Sequence, residues 1–439
     1  MQQQKKQDLP SAPERLRLAA MGMESEFALF VDDEQARPED LFGSPREFIR
    51  GELMHRQGTS YHLPTGGAVY FDTGVIEVAT PVIEIERGCA ARAGRSLWES
   101  ILFLRDELDA WDAGHGNHSR LVGFSAHYNV SFDLPVHLQT NGRTVDRLAE
   151  LLSYILPVPV MLLATNPRST GVGVRPRQDR IEITADFTPS PALMIATATL
   201  IVGVVREVMS WDSFDVAAAA EHGIPTISGF APVPHTSRKG WLARFNCYPT
   251  NPFQCDIDAA IWDTDHDGRL SLRAIAGRTV RAFWRSIRRL SDPFTFRMIG
   301  SVIRGRSPSL LELDDRPIEY EDIGRLCTWD NLFPPAQLAR SRYERVLIRA
   351  ISGQQLRLGR RSLRPVGMQG WSAVVFRDEA GRRQVIGIDE LVQHLEQWEH
   401  VAPAGAKPAG SAAAVSGSAA PPRPPAWQRE RLSRRARNE

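Results

Sequence analysis

The sequence predicts an α+β protein: a curved antiparallel sheet with acidic residues on its concave face, helices packed behind it, and a smaller C-terminal domain. Three observations predict this class. Segments in the first half of the chain alternate between apolar and polar residues, as half-buried strands do. Stripes of apolar residues at helical spacing separate these segments. Acidic residues recur at a spacing of two within a strand, which places them on one face.

The strand and helix patterns follow one another along the first half of the chain. Cys89–Trp111 has apolar residues at helical spacing and predicts a helix. Ala192–Val205 is an apolar run that is shorter than the roughly 20 residues needed to cross a bilayer, so it predicts a buried helix. The predicted strands are Ala20–Asp33, two segments around the Thr73–Gly74 turn within Gly67–Thr80, Leu121–Phe132 and Asp179–Phe187.

The second half of the chain predicts further helices and one hairpin. Arg278–Leu290 and Pro335–Ile351 are amphipathic and rich in arginine, and Ser372–Asp389 predicts a hairpin that turns at Glu379–Gly381. The predicted domains are a catalytic domain at residues 18–330 and a smaller domain at residues 331–400. A polar extension, residues 1–17, precedes them. A basic tail, residues 401–439, is rich in Ala, Pro, Gly and Ser and is expected to be disordered.

The composition excludes several classes of protein. The 439 residues include 53 Lys and Arg against 52 Asp and Glu, so the chain as a whole is not a strongly basic nucleic-acid or membrane binder. Four cysteines lie far apart without a CxxC pair, which argues against a zinc ribbon or a disulfide framework. The start of the chain is polar and lacks the apolar core of a secretory signal, so we expect a cytoplasmic protein.

Glu24 and Glu26, within Gly22–Phe27, are the first candidate site residues. Their spacing puts both carboxylates on one face of a strand, where burial side by side is unfavourable unless a cation neutralises them. Mg²⁺ prefers oxygen ligands and bridges carboxylates to nucleotide phosphates. The alternative is a solvent-exposed strand face that carries two acids without a ligand.

A second candidate segment is Gly66–Pro81. It places Asp72 at the end of an apolar strand, close to a glycine where a ligand can approach the backbone, and Glu77 five residues later. An ordinary hairpin with Asp as a turn residue is the alternative. His127 and Asn129 lie on one side of a third strand, although a histidine within a strand is often structural.

In this order, Gly-x-Glu-x-Glu, Gly-x-x-x-Tyr-x-Asp with a following Glu-x-Ala-Thr, and His-x-Asn resemble the family of Pup ligases and depupylases, Pup being the prokaryotic ubiquitin-like protein. The resemblance is fullest over residues 21–81, including Arg37–Phe42, and extends to Asn129. It implies a glutamine-synthetase-like scaffold, ATP and Mg²⁺ as cofactors, and a carboxylate–amine ligase reaction. The implied partners are a protein tag or small carboxylate substrate and an amine acceptor, with no nucleic acid and no membrane.

The resemblance also implies a role for each candidate residue. Asp72 matches the family's catalytic aspartate, which acts as a base toward the incoming amine. The implied Mg²⁺ ligands are Glu24, Glu26 and Glu77. The implied nucleotide-side residues are His127, Asn129, Arg180 and Glu182.

The chain also departs from the family's pattern. Val75 and Ile76 replace its His-Pro, and Tyr128 replaces the acid between its His and Asn. The sequence contains no GxxxxGK[ST] motif, so a P-loop nucleotide site is not predicted. Three alternatives to the ligase stay open: a depupylase- or deamidase-like hydrolase on the same scaffold, a small-molecule ligase similar to glutamate–cysteine ligases, and a non-catalytic nucleotide-binding protein.

Two further motifs have plainer explanations. Asp263–Gly268 resembles the start of a calcium loop, but loop position 12 is Ala274 rather than glutamate, so a polar surface loop is predicted. Arg357–Arg364 is a basic run that predicts a solvated strand or helix face, with contact to an acidic protein tail as the alternative.

Overall fold

The computed structural model describes residues 19–131, 144–177, 179–235, 239–312 and 339–398. The side chains of Gln57 and Gln397 are not described. The predicted polar extension, the predicted basic tail and the predicted domain boundary at residue 330 lie outside these ranges. The domain limits therefore stay predictions.

Within the described ranges, twelve strands form one sheet in which all neighbours are antiparallel. They are β1 (Ala20–Val31), β2 (Glu34–Ala36), β3 (Met54–Gln57), β4 (Ser60–His62), β5 (Ala68–Asp72), β6 (Val75–Ala79), β7 (Ile83–Glu84), β8 (Ser119–Ser131), β9 (Val172–Pro176), β10 (Arg180–Asp186), β11 (Val233–Pro234) and β12 (Trp241–Ala243). The order is β11-β12-β9-β10-β8-β1-β6-β5-β4-β3, and β2 and β7 also pair with β1. The long strand β1 is therefore central.

Two smaller sheets and the helices complete the described structure. The strands β13 (Trp262–Thr264) and β14 (Gly268–Leu270) form a hairpin, and β15 (Leu356–Leu358), β16 (Arg361–Gln369), β17 (Ala373–Asp378) and β18 (Arg383–Gly387) form a second antiparallel sheet. The helices are α1 (Pro38–Phe42), α2 (Cys89–His115), α3 (Val145–Ile155), α4 (Pro157–Ala164), α5 (Pro191–Val208), α6 (Ala218–Glu221), α7 (Leu272–Ala282), α8 (Trp284–Leu290), α9 (Pro293–Ile303), α10 (Arg342–Ile351) and α11 (Ile388–Gln393). The predicted α+β class is confirmed.

Strand β1 shows how the sequence creates one apolar and one polar face. Met23, Phe27 and Leu29 are buried on one face, and they share a core with side chains of α2 and α5. Full burial of such side chains contributes about 1.5–3 kcal/mol each. Glu24 and Glu26 alternate with them and are half-buried on the opposite face. The helices thus pack behind the sheet and leave the acidic face to the other side.

Helix α5 contains the predicted buried segment. Among the described residues it is the one single helix long and apolar enough to cross a membrane, and the bent pair α3 and α4 passes the same test. However, 83% of α5 is buried inside the protein, where it packs against α2, α4, α8 and α9. The prediction of a core helix is confirmed.

The second sheet has its own apolar core, formed with α10 and α11. Buried polar contacts join this unit to the main sheet and to α2. Arg95 on α2 forms a 2.6 Å ion pair with Glu344 on α10, and the backbone nitrogen of Tyr343 donates to Glu84 at the end of β7. The guanidinium carbon of Arg56 on β3 lies 5.0 Å from the ring centre of Trp371, between β16 and β17.

Some predicted elements differ in detail from the structure. The segment Arg278–Leu290 is not one helix, because α7 ends at Ala282 and α8 begins at Trp284. The helix expected over Pro335–Ile351 begins at Arg342, while residues 335–338 lie outside the described ranges. The calcium-like segment Asp263–Gly268 contains the turn of the β13–β14 hairpin. Its residues 265–268 are exposed, as expected for the predicted polar surface loop. The basic run lies on the β15–β16 hairpin.

Candidate active site

Strand pairing brings the predicted acids and the histidine to the polar face of the main sheet. On one side of β1, Glu26 lies opposite Glu77 of β6. On the other side, Glu24 lies opposite His127 of β8. Side chains of directly opposed residues in antiparallel strands point to the same face, so these four groups converge. Asp72 joins them from β5, the next strand beyond β6.

Two overlapping groups of possible metal ligands result. Glu24, Glu77 and His127 form the first group, and Glu26, Asp72 and Glu77 form the second. Within each group the ligand atoms lie within 4.8 Å of one another, and Glu77 belongs to both. The structure therefore brings together the three predicted metal residues, the predicted base and one predicted nucleotide-side residue. We name this set the acidic cluster.

His127 lies in the middle of the acidic cluster. Its Nδ1 is 3.3 Å from Oε2 of Glu24 and 3.7 Å from Oε1 of Glu77, and its Nε2 is 3.5 Å from Oε1 of Glu26. Although burial alone would lower the pKa of His127, the hydrogen bond to Glu24 and the charge of Glu26 raise it above its usual value. The neighbouring carboxylates thus stabilise the protonated imidazole of His127.

Protonation within the cluster offsets the repulsion between its closely spaced carboxylates. Although burial alone would raise it, the hydrogen bond and charge of His127 lower the pKa of Glu24 to about 2. Burial and the neighbouring charge of Glu24 raise the pKa of Glu77 to about 8. A cation among these carboxylates would replace the proton on Glu77, and carboxylate oxygens are the ligands that Mg²⁺ prefers. The residues present therefore fit a divalent metal.

Tyr70 is a member of this site to which the sequence assigned no role. Its hydroxyl donates a 2.6 Å hydrogen bond to Oε1 of Glu77, which lies directly opposite it on β6. Burial and the charges of Glu24 and Glu77 raise the pKa of Tyr70 well above its usual value, so it stays a donor. The signal was available, because Tyr70 precedes Asp72 by two residues on one strand face.

Asp72 lies where β5 enters the tight turn to β6. The hydroxyl of Thr73 donates to Oδ1 of Asp72 at 2.8 Å. Thr73 has φ 54° and Gly74 has φ 94°, so both occupy the left-handed region that two-residue hairpin turns require. The Asp72 carboxylate is half-buried at the rim of the acidic cluster, where a substrate can reach it.

The remaining nucleotide-side residues form an arginine-rich edge of the same face. Nε of Arg180 donates to Oδ1 of Asn129 at 2.8 Å. Glu182 is buried between the guanidinium groups of Arg175 and Arg177 and pairs with both. Glu182 therefore does not join the acidic cluster, and within the described residues its charge is already balanced by arginine.

A cavity of about 310 Å³ adjoins the acidic cluster. It is lined by Glu24, Asn129 and Arg180 from the main sheet, and by Arg56 and Trp371. The guanidinium of Arg56 lies between the rings of Trp371 and Tyr70, at 5.0 and 5.8 Å from their centres. Arginine guanidinium groups bind phosphate through several donors, and an indole offers a face for a flat ring. The pocket thus offers arginine donors for the phosphates of a nucleotide and an indole ring for its base.

The sequence did not indicate Arg56 or Trp371 as site residues. Trp371 is separated from Glu24 by more than 300 residues and lies in the turn between β16 and β17, so only the folded chain brings it to the pocket. Nothing in the local pattern around either residue distinguishes it from an ordinary surface arginine or tryptophan.

Fold and site together define a mixed α+β protein with a cluster of acidic candidate metal ligands on an antiparallel sheet. No protein-family model matches the chain, and no curated protein matches it. Among solved structures, the chain is similar to the crystal structure of the complex between the prokaryotic ubiquitin-like protein Pup and its ligase PafA. That match has 11% identity, covers 86% of this chain and 92% of the other, and has a TM-score of 0.46. A second is the Pup ligase PafA in complex with ADP, with 10% identity, coverage of 82% and 93%, and a TM-score of 0.40.

Proposed function

We propose that this protein is an ATP- and Mg²⁺-dependent carboxylate–amine ligase of the Pup-ligase-like type, acting in the cytoplasm. The observation that carries the proposal is the pair of ligand groups sharing Glu77, directly beside the cavity that Glu24 and Arg180 line. Metal-bridged phosphates need carboxylates on one side and guanidinium donors on the other, and this face offers both. The motif resemblance in the first 130 residues supports the same reaction class.

The proposed reaction begins with activation of a substrate carboxylate. A carboxylate oxygen attacks the γ-phosphorus of ATP, the bond to ADP breaks, and an acyl phosphate forms. Mg²⁺ held by Glu24, Glu26 and Glu77 would reduce the negative charge on the phosphoryl group during this step. Arg180 and Arg56 line the adjoining cavity and would bind the phosphate chain.

The second step joins the amine to the activated carboxyl group. The amine nitrogen attacks the carbonyl carbon, and phosphate leaves as the C–N bond forms. Amines are protonated near neutral pH, so a base must remove a proton before or during attack. Asp72 lies at the rim of the acidic cluster, with its ligand atom within 4.8 Å of those of Glu26 and Glu77, which suits this role. The carboxylate comes from a protein tag or a small acid.

Calorimetry of ATP binding tests the metal-dependent part of the proposal. ATP should bind to the full chain in the presence of Mg²⁺ and at least about tenfold more weakly in EDTA, because the phosphates then meet uncompensated carboxylates. Glu26→Gln should reduce the Mg²⁺-dependent gain, whereas Glu34→Gln, an exposed glutamate on β2 outside both ligand groups and the cavity, serves as the control. Equal ATP affinity with Mg²⁺ and with EDTA would rule out the metal assignment.

The reaction itself is tested by products. ADP and phosphate should form only when both a carboxylate donor and an amine are present, and a donor–amine conjugate should appear by mass spectrometry. Suitable donors are a Pup-type tag ending in glutamate, and free glutamate. Cleavage of a preformed conjugate without net ATP consumption would instead identify the hydrolase alternative. ATP binding without turnover for either donor would identify a binding protein.

A further inference from the structure

An arginine-rich surface lies apart from the acidic cluster, on helices behind the sheet. Between Leu272 and Arg304, which spans α7, α8 and α9, the chain has eight arginines and a single acid, Asp292. The whole chain has a net charge of only +1, so positive charge is concentrated here. Asp292 is engaged as the N-cap of α9, where it accepts from the backbone nitrogen of Thr295.

Four residues of this region and one residue before α2 line one open cavity of about 520 Å³. They are Arg87, Trp284, Arg285, Arg288 and Arg289, which we name the arginine–tryptophan patch. The loop that carries Arg87 is fixed to the end of α8, because the backbone nitrogen of Gly88 donates to the carbonyl of Leu290 at 2.7 Å. The patch is therefore formed by two segments far apart in sequence and held together by the fold.

The side chains of the patch are arranged around an exposed indole. Trp284 is 39% exposed, which is unusual for so large an apolar side chain. The guanidinium carbons of Arg285 and Arg288 lie 5.9 and 5.8 Å from its ring centre, within the range of cation–π contacts. Such contacts hold a guanidinium against the ring and leave its N–H donors available to an anion.

No carboxylate within the described residues pairs with Arg285, Arg288 or Arg289. The nearest acid in sequence to Arg87, Glu86, pairs with Arg92 at 2.9 Å. Elsewhere on the same helices arginines do have acidic partners, since Arg278 pairs with Asp267 and Arg273 with Asp258. The patch thus gathers four arginines whose charge no carboxylate in the described part of the chain balances.

We propose that the arginine–tryptophan patch is a docking site for an acidic segment of a partner protein. Tryptophan and arginine are the residues that most often dominate the energy of protein interfaces, and bidentate arginine–carboxylate contacts suit aspartate and glutamate. A nucleic acid fits less well. Its phosphates extend far beyond one patch, and outside residues 272–304 the chain has more acidic than basic residues and offers them no net attraction, whereas a short acidic segment meets only the local field within about 10 Å.

Fluorescence anisotropy with the full chain tests this proposal. The probes are a fluorescein-labelled twelve-residue peptide with six glutamates, the same peptide with six glutamines, and a twelve-residue oligothymidylate. The glutamate peptide should bind in 50 mM salt and weaken in 200 mM salt, whereas the glutamine peptide should not bind. Arg285→Glu/Arg288→Glu should weaken peptide binding at least about tenfold, because two attractions become repulsions. Trp284→Ala should weaken it while leaving the charge unchanged.

Arg360→Glu/Arg361→Glu is the matched control, because these residues are exposed arginines on the β15–β16 hairpin. Circular dichroism melting verifies that each variant is folded. Loss of binding in the control but not in Arg285→Glu/Arg288→Glu would overturn the proposal, as would tighter binding of oligothymidylate. Residues 313–338 carry six acids and two arginines, so the test also has to distinguish a partner's segment from this one of the same chain. Peptide binding only after these six acids are changed to amides would also overturn it.

Discussion

Glu39 accepts, through Oε1, a 2.7 Å hydrogen bond from the backbone nitrogen of Gly74. The two residues belong to different elements, since Glu39 lies on α1 and Gly74 in the β5–β6 turn that follows Asp72. The turn contains Thr73 in a left-handed conformation that costs free energy for a β-branched residue. The contact to α1 therefore helps to hold the turn, and with it the carboxylate of Asp72, in one position.

We expect Glu39→Ala to impair the amine-dependent step without affecting ATP binding. Removal of the acceptor leaves the Gly74 N–H without its partner and loosens the turn, which costs about 1–3 kcal/mol. If about 1.4 kcal/mol of this cost is added to the activation free energy, amine-dependent kcat falls about tenfold. Steady-state kinetics and ATP calorimetry measure the two effects separately.

Two variants serve as controls for the change at Glu39. Glu39→Gln keeps an acceptor oxygen for the Gly74 nitrogen and should recover most of the rate. Asp40→Ala removes a neighbouring acid on α1 whose partner is the exposed Arg37, and it should leave kinetics unchanged. If Asp40→Ala and Glu39→Ala slow the reaction equally, Glu39 affects the helix rather than the position of Asp72.

Asp72→Asn should separate chemistry from binding. The amide has nearly the same shape as the carboxylate but is a very poor base, so amine-dependent turnover should fall by about 10²–10⁴-fold. ATP affinity in Mg²⁺ should stay near that of the wild type. Glu24→Gln removes a negative charge from one of the two ligand groups, so nucleotide binding and rate should fall together. Wild-type turnover by Asp72→Asn with any amine that the enzyme uses would contradict the mechanism.

Much of the acidic cluster could be predicted because strand periodicity fixes the face of a residue. Glu24 and Glu26 share a face by their spacing, and the structure confirms that face through the alternation of β1. The pairing of Glu26 with Glu77 could not be derived in this way, because the register depends on how two strands that are not adjacent along the chain align. The motif resemblance, rather than periodicity, linked these residues.

The fold shows the same division between local and long-range information. Helix α2 and the β5–β6 hairpin follow from local spacing and turn residues, and both formed as predicted. The break between α7 and α8 was missed because the amphipathic pattern continues through Phe283. Its side chain packs in the core while its backbone, at φ −99° and ψ 7°, leaves the helical range. Tertiary packing decided this boundary.

Trp371→Ala should weaken ATP binding while leaving the metal site intact. If the indole stacks on the base of the nucleotide, its removal costs about 1–3 kcal/mol, a loss of roughly tenfold or more in affinity. The control Trp284→Ala removes an exposed tryptophan distant in sequence and outside this cavity, and ATP affinity should not change. Unchanged ATP affinity in Trp371→Ala would mean that the base lies elsewhere.

His62 should make the stability of the protein depend on pH. Its side chain is fully buried on β4 with its ring edge-on to Trp371, at 4.8 Å between centres. Burial, assisted by the charge of Arg56, lowers the pKa of His62 to about 3. In the unfolded chain its pKa is about 6.5. Between these values the unfolded state binds a proton that the folded state does not, so stability is lost as pH falls below about 6.5.

The expected contribution of His62 is about 2 kcal/mol between pH 7 and pH 5, at about 1.4 kcal/mol for each pH unit below 6.5. His62→Leu cannot take up this proton, so its free energy of unfolding should decrease less than that of the wild type over this range. Urea unfolding of both proteins at pH 7, 6 and 5 measures the difference, and groups that titrate in both proteins cancel. His55→Leu, at an exposed position on the adjacent strand β3, is the matched control and should follow the wild type. Parallel pH profiles for His62→Leu and the wild type would show that His62 takes up a proton in the folded state as readily as in the unfolded one.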